Sequence, residues 1–160
     1  MKYDFIIGID PDSEKNGVAI VSPATRLLNC ECLTFAETIA YLQGCKHRAD
    51  VLEQNFIVVI EAGWLNRSNW HTHGNAKLAA AIGRSTGMNH QTGILLAQMC
   101  DYYKIPYKLQ KPLKKCWKGK DGKITHAELK AFTGIEGRTN QEIRDSVLLA
   151  WCEAGLPIKI

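Results

Sequence analysis

The sequence predicts an α/β protein: a mixed five-stranded sheet with helices on both faces. Three observations carry this. "FIIGID" and "FIVVIE" are apolar at successive positions, so each reads as a strand covered on both sides, in the middle of a sheet. The first three strand-like runs follow one another through short turns, as in an antiparallel meander. The later ones are separated by helical stretches, which demand parallel strands and right-handed crossovers.

The elements follow in order. Phe5–Asp10 is the first strand, and "PDSEKNG" after it is dense in turn formers. Residues 18–21 form a second strand, antiparallel to the first. Residues 27–34 alternate as a third, with Leu28, Cys30, Cys32 and Thr34 on one side and Leu27, Asn29, Glu31 and Leu33 on the other. A helix spans about 35–52, its apolar side carrying Ile39, Leu42 and Ala49. Residues 56–60 form a strand ending at Glu61, and a polar loop over 66–75 leads to a long helix at about 76–103. Gly83, Gly87 and Gly93 inside that helix cost stability, which implies close packing or a break there. A fifth strand is expected at 105–109, a helix around 125–132, and a last helix at about 141–154, stopped by Gly155 and Pro157. The order is βββαβαβαα.

Bulk properties narrow the class. The 160 residues are expected to make one domain over 1–160, with a composition, 46% hydrophobic and 22% charged, that suits a globular chain. No run of about 18 apolar residues is present to span a membrane. The apolar stretch after Met1-Lys2-Tyr3-Asp4 is too short for a signal peptide, which argues for the cytoplasm. The six cysteines contain no C-x-x-C pair and are expected as free thiols, with no disulfide framework and no zinc site. Net charge is a mild +4, but residues 104–123 hold eight lysines against one acid, Asp121. That segment carries +7 and leaves −3 for the rest. It is either a solvated basic loop or a phosphate-contacting strip.

The carboxylates tilt this choice. Asp10 and Glu61 end the two doubly buried strands, and if these are parallel neighbours both acids emerge at one sheet edge, where ligands of open α/β sheets gather. Glu142 and Asp145 in "TNQEIRDSVLLAW" share a helix face. Glu142 has a structural explanation, a capping box with Thr139. Asp145 borders the buried side of Leu148 and Leu149 with no evident lysine or arginine on that face, and a metal ion would compensate it. Asp10, Glu61, Glu142 and Asp145 offer hard oxygen ligands suited to Mg²⁺ or Mn²⁺. Two such ions about 4 Å apart serve phosphodiester hydrolysis. A basic strip beside an acidic metal site is what a nuclease needs.

"IIGIDPDSEKNGVAIV", "VVIEAGW" and "EIRDSVLLAW", with "AKLAAAIGRSTG" between the last two, resemble in order and separation the RuvC-type Holliday junction resolvases. The resemblance runs from Ile6 to about Trp151 and implies the ribonuclease H-like fold, whose element order is βββαβαβα. It implies a homodimeric, Mg²⁺-dependent endodeoxyribonuclease of the crossover-junction type, with branched DNA as its partner. Asp10, Glu61 and Asp145 match family carboxylates, and Glu142 stands where the family has Asp or His. Trp64 matches an aromatic that contacts bases near the junction, and Lys111 and Lys123 match lysines used near the scissile phosphate. Lys114, Lys115 and Lys118 join them as expected DNA contacts from the basic strip. The family's Pro-Gly-Ser is here Pro11-Asp12-Ser13, so Asp12 either tightens the turn or adds a weak ligand. His71 and His73 are read as part of a polar loop near DNA rather than as a metal pair. A nuclease of the same fold acting on other branched DNA or an RNA·DNA hybrid, and a non-catalytic nucleic-acid-binding module, stand as alternatives. An actin-like ATPase is rejected, because Asp12 replaces the expected glycine and the chain is too short for two lobes.

Overall fold

The computed structural model describes residues 3–66 and 76–159. The strands are β1 Phe5–Asp10, β2 Asn16–Ser22, β3 Arg26–Leu33, β4 Phe56–Glu61 and β5 Tyr107–Gln110. The helices are α1 Phe35–Val51, α2 Ala76–Tyr102, α3 His126–Thr133 and α4 Gln141–Glu153. In the sheet order β3-β2-β1-β4-β5, the two doubly apolar strands are central neighbours. β1 and β4 run parallel with Ile9 opposite Ile60, so Asp10 and Glu61 are the next residues along. β2 and β3 are antiparallel additions on one side, and β5 is a parallel one on the other.

Alternation along the strands builds two cores. Phe5, Ile7, Ile9, Phe56, Val58 and Ile60 pack with Ile39 and Leu42 of α1 and with Leu96 and Cys100 of α2. Ile6, Ile57 and Val59 pack on the opposite face with Leu129 and Phe132 of α3 and with Val147, Leu148 and Trp151 of α4. By the same parity Asp10 and Glu61 project on the α4 face.

Two glycines let α4 lie close. A Cβ at Gly8 would collide with the Ser146 carbonyl oxygen and come within 2.9 Å of the Ala150 nitrogen. A Cβ at Gly17, which pairs with Asp10, would collide with the backbone of Glu142. The absence of side chains at these positions brings the acidic first turns of α4 to the end of β1.

The structure corrects several sequence-based expectations. Asn140 caps α4, its Oδ1 accepting from the Ile143 N–H at 2.9 Å. Thr139 is therefore outside the helix, and Glu142 has no part in a Thr139 capping box. Capping boxes do start α1 (Thr34, Glu37) and α3 (Thr125, Glu128). The alternation predicted for β3 is interrupted by a bulge, where Ile20 pairs with Asn29 but Val21 pairs with Leu27. This puts Leu27 and Cys30 against the same core. β5 starts at Tyr107, because Ile105 closes the end of α2 by donating to the Cys100 carbonyl and is itself buried. Of the glycines in α2, Gly93 answers to close packing, since a Cβ there would sit 2.6 Å from the Trp64 ring. Gly83 and Gly87 meet nothing within 4 Å among the described residues, and α2 runs through both without a break. The six cysteines are free thiols. No helix is long and apolar enough to cross a membrane among the described residues.

Candidate active site

Asp10 from β1, Glu61 from β4 and Glu142 and Asp145 from α4 line one cleft of about 630 Å³. Three elements thus deliver four carboxylates to the carboxyl ends of two parallel strands. Their charges act on one another. Burial, then the charges of Glu61 and Asp145, hold Asp10 well above the usual carboxylate range, against the pull of Lys123. Burial and the Asp145 charge push Glu61 up to about 7, with Lys123 and Lys115 opposing. Burial raises Asp145 too, and the Gln141 hydrogen bond, Lys123 and Arg144 oppose it.

Asp145 does have a cationic neighbour, contrary to the reading from α4 alone. Lys123 Nζ lies 3.9 Å from Asp145 Oδ2. It comes from the segment before α3, 22 residues away in sequence, and not from the face of the helix. The lysine does not lift the strain on Asp10, which stays raised despite it. More acid than base is buried here.

The lysines divide. Lys114, Lys115 and Lys123 line the cleft. Lys111 and Lys118 are exposed and lie outside its lining. Lys118 serves the fold through its backbone N–H, which donates to Glu128 Oε1 at 3.0 Å. Glu128 is buried and also accepts from the Thr125 N–H and hydroxyl. Burial works against its charge, but these donors hold its carboxyl below the ordinary range. That carboxylate therefore fastens the basic segment to α3. Turn bonds from Trp117 N–H to the Gly122 carbonyl and from Gly119 N–H to the Lys123 carbonyl complete the shape. Lys108 pairs with Glu153 at 2.5 Å, on the body of the molecule.

Trp64 sits in a single 3₁₀ turn, Gly63–Leu65, immediately after β4. It lines the cleft, half-buried between Gly93 and His90, whose ring stands edge-on at 6.1 Å. His71 and His73 lie outside the described residues.

Asp12 now has an explanation. Its Oδ1 accepts from the Glu14 N–H at 2.8 Å, tightening the turn, and its Oδ2 accepts from Asn89 Nδ2 at 3.1 Å. The Asn89 Oδ1 in turn accepts from the Ser13 N–H. The loop beside Asp10 is thereby tied to α2. Asn89, His90 and Gln141 went unnoticed in the sequence. Asn89 is 77 positions from its partner, and Gln141 matters only through Asp145, whose Oδ1 accepts from its Nε2 at 2.7 Å.

No protein-family model matches the chain, and a comparison with curated proteins finds no match. Among solved structures it is similar to T. thermophilus RuvC in complex with a Holliday junction substrate. The TM-score is 0.54 at 18% sequence identity, covering 91% of this chain and 90% of that one. The likeness shows the fold: α/β, ribonuclease H-like, with helices on both faces of a mixed sheet.

Proposed function

We propose that this protein is a divalent-metal-dependent endonuclease that cleaves four-way DNA junctions by phosphodiester hydrolysis. The observation that carries the proposal is the convergence of Asp10, Glu61, Glu142 and Asp145 on one cleft edged by lysines. The fold is that of a protein solved with a Holliday junction, which supports branched DNA as the substrate.

The donor set fits Mg²⁺, with Mn²⁺ as a substitute, because every candidate ligand is a hard carboxylate oxygen. The raised Asp10, Glu61 and Asp145 mark negative charge that the protein itself does not neutralise. Among the described residues, no three His, Cys, Asp or Glu side chains already stand close enough to hold a metal ion, so binding requires the carboxylates to draw together. The two divalent ions expected at such a carboxylate set would supply activation of water and stabilisation of the leaving oxygen. The chain's own residues do the rest. Lys114, Lys115 and Lys123 hold the phosphate backbone along the cleft. Trp64 offers a ring face for base stacking, a contact that tolerates any sequence. Lys111 and Lys118 extend the basic strip beyond the cleft.

A homodimer is part of the proposal, because two symmetric cuts need two sites. The outer side of α2 supports it. Met88, Leu95 and Tyr102 recur every seven residues along one side and are 47%, 39% and 73% exposed. That spacing suits a helix seam with a second copy.

The test compares a synthetic four-way junction, linear duplex and RNA·DNA hybrid, each with Mg²⁺. The junction should be cut fastest, and Asp10→Asn should lower that rate about a thousandfold or more, several kcal/mol of transition-state stabilisation. Equal cutting by Asp10→Asn, or no cutting of any substrate by the wild type, refutes the enzyme. Faster cutting of the hybrid reassigns the substrate.

A further inference from the structure

Of the four converging carboxylates, Asp145 is the one whose two oxygens are distinguished by neighbours among the described residues. Oδ1 accepts from Gln141 Nε2 at 2.7 Å, one helical turn earlier. Oδ2 is the oxygen turned toward Lys123, at 3.9 Å. The orientation of the Gln141 amide is dictated by what lies on its other side. Its Oε1 accepts from Arg144 Nη2 at 2.8 Å. A guanidinium can only donate and a carboxylate can only accept, so the amide has one satisfactory orientation between them.

Arg144 is itself held by the backbone. Its Nε donates to the Ile124 carbonyl at 3.0 Å, and its Nη1 donates to the Thr139 carbonyl at 2.6 Å. Ile124 is buried and directly follows Lys123. One arginine therefore sets both sides of Asp145: the amide on Oδ1, through Gln141, and the strand of backbone that carries Lys123.

We infer that Gln141, oriented by Arg144, is a positioning residue that occupies Asp145 Oδ1 and leaves Oδ2 as the oxygen offered to a cleft cation. The inference rests on the metal-dependent reading above. The relay acts on where Asp145 points, and neither Gln141 nor Arg144 is a ligand. Hydrogen-bond partners of ligating carboxylates shift metal affinity by about 10–100-fold when lost.

The experiment measures Mn²⁺ binding to the full chain by calorimetry, in wild type, Gln141→Met and Gln141→Ala, beside melting curves in chelator. Gln141→Met keeps the length of the side chain but cannot donate, and Gln141→Ala removes both hydrogen bonds with a good helix former. Both should weaken Mn²⁺ at least about tenfold while melting close to wild type in chelator. Under saturating Mn²⁺ the junction-cleavage kcat should recover more in Gln141→Met than in Asp145→Asn, because the ligand is retained. Wild-type affinity in both Gln141 variants overturns this inference and leaves the nuclease reading intact. No Mn²⁺ binding by the wild type overturns the metal reading and the inference with it.

Discussion

The two helices that line the cleft, α4 and α2, are held in opposite ways. α4 has 13 residues, and six in a row, residues 146–151, are buried against the sheet. α2 has 27 residues, about 40 Å of helix, and its buried positions are Gly93, Leu96, Ala97 and Cys100, all in its second half. Both helices reach the cleft: α4 brings Glu142 and Asp145, and α2 brings Asn89 and His90. The difference teaches what each end is for. A helix that must hold charged groups against one another's repulsion is seated along its length. A helix whose first half carries exposed Leu78, Ile82 and Met88 has surface to offer to another chain.

The hardest way to break the contrast is to lift α4 off the sheet. Gly8→Ala places a methyl group against the Ser146 carbonyl and the Ala150 backbone, neither of which can rotate away. Overpacking of this kind costs typically about 1–3 kcal/mol, and contact with backbone puts it at the upper end. A loss of about 3 kcal/mol corresponds to a fall in Tm of roughly 6–12 °C for a chain of this size. Junction cleavage should fall as well, since Glu142 and Asp145 move with the helix. A Gly8→Ala variant melting within about 2 °C of wild type would show that α4 is not seated so closely.

Much of this seating was legible in the sequence and some was not. The uninterrupted apolar runs before Asp10 and Glu61 identified the two central strands, because a strand covered on both faces has no polar alternate positions. Taking these strands as parallel neighbours brings both acids to one sheet edge, and the i, i+3 spacing puts Glu142 and Asp145 on one helix face. Asn140 was overlooked as the cap because Thr139-x-x-Glu142 fits the capping pattern equally well. The choice is made by tertiary contacts: Thr139 is engaged by Arg144 and by His126, whose Nδ1 lies 3.0 Å from its hydroxyl oxygen. Lys123 and Asn89 meet their partners across 22 and 77 positions, distances over which helix or strand periodicity carries no information. Gly8 reads in sequence as part of an apolar strand and Gly17 as a turn residue, and their purpose appears only when α4 is laid across them.

A milder perturbation asks how much charge the seating of α4 confines. Glu61 is raised from its ordinary 4.5 to about 7, and Asp10 and Asp145 are raised too. In the metal-free protein the folded state therefore binds more protons than the unfolded state across that interval. Stability is fully present below about pH 4.5 with respect to Glu61 and is lost as pH rises through about 7. The loss is on the order of 1–3 kcal/mol. Glu37 and Glu128 are lowered and act oppositely, but their stabilisation is lost only as pH falls below the ordinary carboxylate range. Melting in chelator should thus give a lower Tm at pH 7.5 than at pH 5.5, and added Mg²⁺ should narrow the gap. A Tm that rises between those two pH values contradicts the assignment of the buried negative charge.

The smallest effect tests the other helix. Gly83 lies in the first half of α2, where an added Cβ meets nothing within 4 Å among the described residues. A glycine inside an exposed helix costs about 0.5–1 kcal/mol relative to alanine, through the freedom it gives the unfolded chain. Gly83→Ala should therefore stabilise the protein by that amount, raising Tm by about 1–4 °C, with junction cleavage unchanged. The same glycine-to-alanine change that cripples β1 at Gly8 should strengthen α2 at Gly83. A fall in Tm for Gly83→Ala would mean that this side of α2 is packed against something in solution, and the second copy proposed for the Met88, Leu95 and Tyr102 side would then have to cover more of the helix than that seam.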